Sequence, residues 1–138
     1  MHVIRLRRPW LRQTNDDAQP VRCDVPDTSD FHSPQTQTVL YERRFNCPTG
    51  LGDHSRVQLT VTAMAGTSGQ ISLNDNIIWT SPEAGLNQLS DPIQLQIKNH
   101  LAPTNRLMIE ITNNDSRPHP EVAPILNGEV YLELDESA

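Results

Sequence analysis

The clearest signal in this chain is an alternation of apolar and polar positions. In Arg56-Val57-Gln58-Leu59-Thr60-Val61-Thr62-Ala63, Val57, Leu59, Val61 and Ala63 fall on one side, with Arg56, Gln58, Thr60 and Thr62 on the other. A period of two is the signature of a β-strand with one face buried and one wet. The pattern returns at Ile93, Leu95 and Ile97, at Leu107, Ile109 and Ile111, and at Val130, Leu132 and Leu134. Each of these runs has a polar back. Strands of parallel α/β sheets are apolar on both faces, so the polar backs predict antiparallel sheets. Weaker alternation marks two more strands, one with Ile4 and Leu6 and one with Val39, Tyr41, Arg43 and Phe45. Gly69 to Leu73 and Asn76 to Trp79 read as a hairpin across Asn74-Asp75, residues that tolerate the left-handed backbone of a tight turn. No segment sustains a helical period, although a single helical turn is expected over 99–102, before Pro103.

About eight short strands separated by Pro, Gly and Asn turns predict an all-β chain, an antiparallel β-sandwich of jelly-roll type. With 138 residues there is material for one hydrophobic core and one domain over 1–138. Residues 15–37, rich in Asp, Pro, Ser, Thr and Gln, read as one long irregular loop, and 82–90 and 113–124 as further loops. No internal repeat is visible.

Charge narrows the function classes. Lys and Arg number 11 against 17 Asp and Glu, for a net charge of −6. That balance argues against general nucleic-acid binding, which needs a positive surface. No apolar run approaches the roughly 18 residues of a membrane helix. With Lys98 as its only lysine, the chain is not expected to form a polybasic membrane surface. Arg5, Arg7, Arg8 and Arg12 are expected as a solvated strand face and a basic arm. The preference for arginine over lysine suits fixed ion pairs with carboxylates. Residues 1–10 lack the apolar stretch of a secretory signal, so a cytoplasmic location is expected. Cys23 and Cys47 are then expected as free thiols.

The order of residues resembles the sugar-binding domain of family 2 glycoside hydrolases. Tyr41-Glu42-Arg43-Arg44-Phe45-Asn46-Cys47-Pro48 resembles its opening Y-x-R-x-F-x-x-P strand, and Arg56 to Ala63 resembles the apolar strand that follows. Ile71-Ser72-Leu73-Asn74-Asp75-Asn76 resembles its V-x-L/V-N-G hairpin, with Asp75 where the family carries glycine. Residues 93–105 resemble the stretch leading to N-x-L, and Leu107 to Asn113 resembles the L-x-I-x-V-x-N strand. The similarity spans roughly 38–134 and implies a galactose-binding-like jelly roll. In those enzymes this domain is a non-catalytic appendage to a separate barrel that carries the acid and the nucleophile. The resemblance therefore implies architecture and a binding role, and not hydrolysis.

Candidate chemistry is sparse, and no enzyme activity is expected. Glu129 and Glu133 share one strand face but lie roughly 13 Å apart by strand rise, too far for a glycosidase pair. The five histidines have no metal-ligand spacing. The resemblance admits a structural calcium ion, for which Asp24, Asp27 and Asp30 offer oxygen ligands in one loop. A carbohydrate-binding module needs an aromatic face for a sugar ring and polar groups for its hydroxyls. Trp79 at the end of the hairpin and Trp10 after the first strand are the aromatic candidates, and each could instead plug an end of the sandwich. Arg43 shares the inward face of Tyr41 and Phe45, where it either pairs structurally or lines a pocket. The alternative to sugar binding is a protein-interaction or structural domain, self-associating through a sheet face. The outward Tyr131 and Met108 are apolar spots for such an interface.

Overall fold

The computed structural model describes residues 2–30, 36–83, 85–86, 90–113 and 124–135. Ten strands lie among them: β1 (His2–Arg5), β2 (Trp10–Thr14), β3 (Val21–Cys23), β4 (Thr38–Asn46), β5 (Arg56–Val61), β6 (Ser68–Leu73), β7 (Asn76–Thr80), β8 (Ile93–Gln96), β9 (Thr104–Thr112) and β10 (Val130–Asp135). They form a four-stranded sheet in the order β1-β10-β5-β8 and a six-stranded sheet in the order β3-β2-β4-β9-β6-β7. Every pairing is antiparallel. The two sheets pack as a sandwich, as the alternation predicts.

The core is made of the residues the period-two pattern points inward. Val57, Leu59 and Val61 of β5 and Val130, Leu132 and Leu134 of β10 are buried on the four-stranded side. Val39 and Tyr41, Ile71 and Leu73, and Leu107, Ile109 and Ile111 are buried on the six-stranded side. Ala63 departs from the pattern: β5 ends at Val61, and Ala63 is exposed. The chain entering β10 crosses close over that strand end. A Cβ on Gly128 would lie 2.3 Å from the Ala63 nitrogen, so only glycine fits there.

The hairpin between β6 and β7 forms across Asn74 and Asp75, both with positive φ (52° and 70°). That is the requirement of the tight turn favoured in hairpins, met here without glycine. Asn74 accounts for much of its own placement. Its side chain accepts a hydrogen bond from Arg106 N at 2.9 Å and donates to His100 O and Asn105 Oδ1, each at 2.9 Å. Asn105 in turn accepts from Ala102 N at 2.8 Å and donates to Ala102 O at 2.9 Å. Two asparagines thus clamp the hairpin, the start of β9 and the 3-10 turn at Lys98–His100.

Two strands were not expected. β2 and β3 fall in the segment that reads as basic arm and irregular loop. β2 lacks the apolar period because its inward residues after Trp10 are Arg12 and Thr14, both buried. β3 has three residues at a sheet edge, too few to carry a period.

Val61 is fully buried between the sheets, so Val61→Asp places an unpaired charge in the core. Several kcal/mol of penalty against a total stability of about 5–15 kcal/mol should leave the domain unfolded at room temperature. Circular dichroism checks this, and a wild-type melting transition in the variant would contradict the core described here.

Candidate functional site

The inner face of the six-stranded sheet is organised by one row of side chains. Register aligns Trp79 of β7 with Ile71 of β6, Ile109 of β9, Tyr41 of β4 and Arg12 of β2. The row is apolar at the Trp79 end and ionic at the Arg12 end. These two ends carry the chemistry of the inner face.

At the ionic end Arg12 Nη1 lies 2.8 Å from Asp27 Oδ2, and both residues are buried, 7% and 4% exposed. The same carboxylate accepts Tyr41 Oη–H at 2.8 Å, Ser29 N–H at 3.0 Å and the Ser29 hydroxyl. Tyr41 Oη then accepts Leu126 N–H at 3.2 Å, and Asp27 N–H donates to Leu126 O at 2.9 Å. Burial by itself would raise the carboxyl pKa, but the hydrogen bonds from Ser29, Arg12 and Tyr41 outweigh it and hold Asp27 below its ordinary value. Burial keeps the Tyr41 phenol well above its usual range. Burial first, then the Asp27 charge, pushes the Cys23 thiol up to about 11, so it is protonated at neutral pH.

This network revises two expectations. Arg12 is not part of a solvated arm; it is the buried cation of an ion pair. The loop carboxylates do not converge as a calcium cage, because Asp27 is committed to Arg12, Tyr41 and Ser29 while Asp24 and Asp30 are exposed. Among the described residues no cluster of three His, Cys, Asp or Glu side chains could hold a metal ion.

The three sequence-predicted site residues do not come together. Trp10 is fully buried, and its indole N–H donates to Leu6 O at 2.8 Å. It plugs the sandwich and presents no face to a ligand. Arg43 is half-buried opposite Leu107, with Nη1 donating to the Arg44 carbonyl. Its Nε is buried without a hydrogen-bond partner among the described residues, and burial lowers its pKa. Trp79 lies three strands away from β4, about 14 Å at the usual spacing.

Of the three, Trp79 opens onto a cavity. It is half-buried on β7, the terminal strand of its sheet, and faces β8, the terminal strand of the other. Between them lies a cleft of about 360 Å3 lined by Trp79, Asp91, Pro92, Ile93, Gln94 and Leu95. Each strand pairs on one side only, so both cleft walls are free sheet edges. The site thus combines an indole face, a proline ring, the exposed Asp91 carboxylate and the exposed Gln94 amide. Sequence reasoning found Trp79 but missed Asp91 and Gln94, because their nearness to the indole depends on how the two sheets stack. Tyr131 and Met108 lie half-buried on the two outer faces. No helix among the described residues is long and apolar enough to cross a membrane.

Comparison with known proteins agrees with this architecture. No family model matches the chain, and no curated protein matches its sequence. Solved structures do match. An FMN-binding β-glucuronidase from Faecalibacterium prausnitzii L2-6 superposes with a TM-score of 0.71 at 20% identity, over 95% of this chain and 22% of that one. A β-glycosidase from Bacteroides vulgatus gives 0.73 at 11% identity, over 99% and 20%. A glycosyl hydrolase family 2 member from Bacteroides cellulosilyticus gives 0.67 at 14%, over 99% and 21%. The chain therefore has the fold of one β-sandwich domain of family 2 glycosidases and spans about a fifth of the length of these three enzymes.

The depressed Asp27 pKa sets a pH dependence. A carboxyl whose folded pKa lies below its unfolded value contributes stability above the unfolded value, near 4, and loses it as pH falls toward the folded pKa. Wild-type stability should therefore hold from neutrality to about pH 4 and decline below it. Asp27→Asn should cost about 3–5 kcal/mol at pH 7, because the buried Arg12 guanidinium loses the carboxylate that neutralises it. The variant's cost should shrink as pH falls below 4. Urea unfolding at pH 7 and pH 3 checks both statements, and an Asp27→Asn variant with wild-type stability at pH 7 would refute them.

Proposed function

We propose that this chain is a non-catalytic binding module of carbohydrate-binding kind, with its ligand seated in the Trp79 cleft. The observation that carries this reading is the half-buried indole at the mouth of a cleft whose other wall offers Asp91 and Gln94. A sugar ring presents C–H groups on its face and hydroxyls at its rim. An aromatic face accommodates the first, and a carboxylate and an amide satisfy the second. The fold is that of a domain of glycosidases, and the chain matches only a part of each, which supports a binding role without a catalytic one.

Binding to a broad array of neutral and charged glycans should give reproducible hits. Trp79→Ala should weaken those hits at least tenfold, about 1.4 kcal/mol, while leaving the melting temperature of the sandwich near that of the wild type. A blank array, or hits unchanged in the variant, would sink the assignment.

A second reading, self-association, is favoured by one specific observation. β7 is a free sheet edge with no charge and no proline from Asn76 to Thr80, and its Ile77 is 61% exposed. Natural edge strands are normally protected by such residues. Under this reading light scattering finds a dimer that Ile77→Lys converts to a monomer. A wild-type monomer at high concentration would reject it.

A further inference from the structure

The outer face of the six-stranded sheet carries a groove unrelated to the Trp79 cleft. It measures about 180 Å3 and is lined by Pro9, Leu11, Arg22, Glu42 and Arg44. Strand register assembles it. Leu11 of β2 sits between Arg22 of β3 and Glu42 of β4. Arg44, two residues beyond Glu42 and on the same face, stands directly opposite Arg106 of β9.

Like charges directly opposite across a sheet are unfavourable. Here Glu42 moderates the conflict: it pairs with Arg106 and lies 3.8 Å from Arg44. Arg44 and Arg106 nonetheless share this single groove carboxylate, with Asp75 reaching Arg106 from outside at 3.7 Å. The Arg44 side chain is 76% exposed, and Arg22 has no ion pair among the described residues. In a chain of net charge −6, composition does not explain a positive concentration of this kind. The floor is apolar, with Pro9 exposed and Leu11 39% exposed.

We propose that this groove binds a carboxylate-bearing saccharide, one hexuronate unit. The carboxylate sits between Arg22 and Arg44, whose planar forks suit carboxylate recognition. The C–H face of the ring rests on Leu11 and Pro9, and Glu42 accepts a ring hydroxyl. Glu42 is what favours a sugar over a bare inorganic anion, because a ring hydroxyl donates to the carboxylate and a deprotonated inorganic anion has no proton to offer it. The sugar ring rests on the carbohydrate reading given above, whereas the requirement for an anion stands on the arginines alone.

Amide NMR spectra of the full chain, titrated with methyl glucuronide and methyl glucoside, test this directly, because the two differ only at C6. The glucuronide should shift amides of β2, β3 and β4 around Leu11, Arg22 and Arg44, and added salt should weaken it. The glucoside should leave them unmoved. Arg44→Gln and Arg22→Gln, both at exposed positions, should each weaken glucuronide binding at least tenfold, while Trp79→Ala should not. Equal binding of the two glycosides would remove the anion requirement. Sulfate or a glutamate-rich peptide binding as tightly as the glucuronide would remove the sugar, and no shift with any probe would remove the site. Glucuronide binding lost in Trp79→Ala would move the ligand to the other cleft. Array hits confined to uronate-bearing glycans and unchanged in Trp79→Ala would overturn the Trp79 assignment and leave this one standing.

Discussion

The Asp27 carboxylate is the constraint on which the placement of the segment after β3 depends. It lies after a three-residue edge strand, in a segment with little apolar content of its own. What draws that segment onto the sandwich is the pairing of Asp27 with Arg12, Tyr41 and Ser29. Tyr41 belongs to the central part of the six-stranded sheet, and the bonds to Leu126 reach the chain that leads into β10. One buried carboxylate thereby joins β2, the loop after β3, β4 and the approach to the opposite sheet. A buried ion pair adds little net stability compared with well-packed apolar groups, but losing either partner strands the other. Its contribution here is to make one arrangement of this segment far better than its alternatives.

The same row of side chains explains why the two margins of the sandwich differ. On the β2–β3 side, polar groups meet in the interior and satisfy one another. On the β7–β8 side both sheets end, and no further strand covers the gap among the described residues. Trp79 fills part of that gap, and the remainder is the cleft. A cleft at this margin needs no strained backbone and no unusual residue. It follows from two sheets of unequal width ending beside each other, with one large aromatic at the boundary.

The outer faces obey a different logic. On the four-stranded sheet, Glu133 accepts hydrogen bonds from Thr60 and Gln58, and Gln96 donates to Gln58, so the polar groups largely satisfy one another. On the six-stranded sheet the register sets Arg44 against Arg106, and one glutamate serves both. The contrast matters because both faces come from equally ordinary alternating strands.

Much of this was legible in the sequence. Alternation identified the inward faces of β4, β5, β8, β9 and β10, because burial between two sheets imposes a period of two. The Asn74-Asp75 turn was legible because few residues accept positive φ. Trp79 was legible as an aromatic at a hairpin end. The role of Arg12 was not, since an inward arginine looks like an outward one until its partner, fifteen residues away in the chain, is placed beside it. Trp10 was ambiguous for the same reason, as a plug and a platform have the same sequence context. Asp91 and Gln94 near Trp79, and Arg22 and Arg44 around Leu11, are contacts between segments far apart in the chain. Local alternation determines which side of a strand each residue occupies. Which strands lie side by side, and therefore which polar groups share a cleft, is decided only when the sheets assemble.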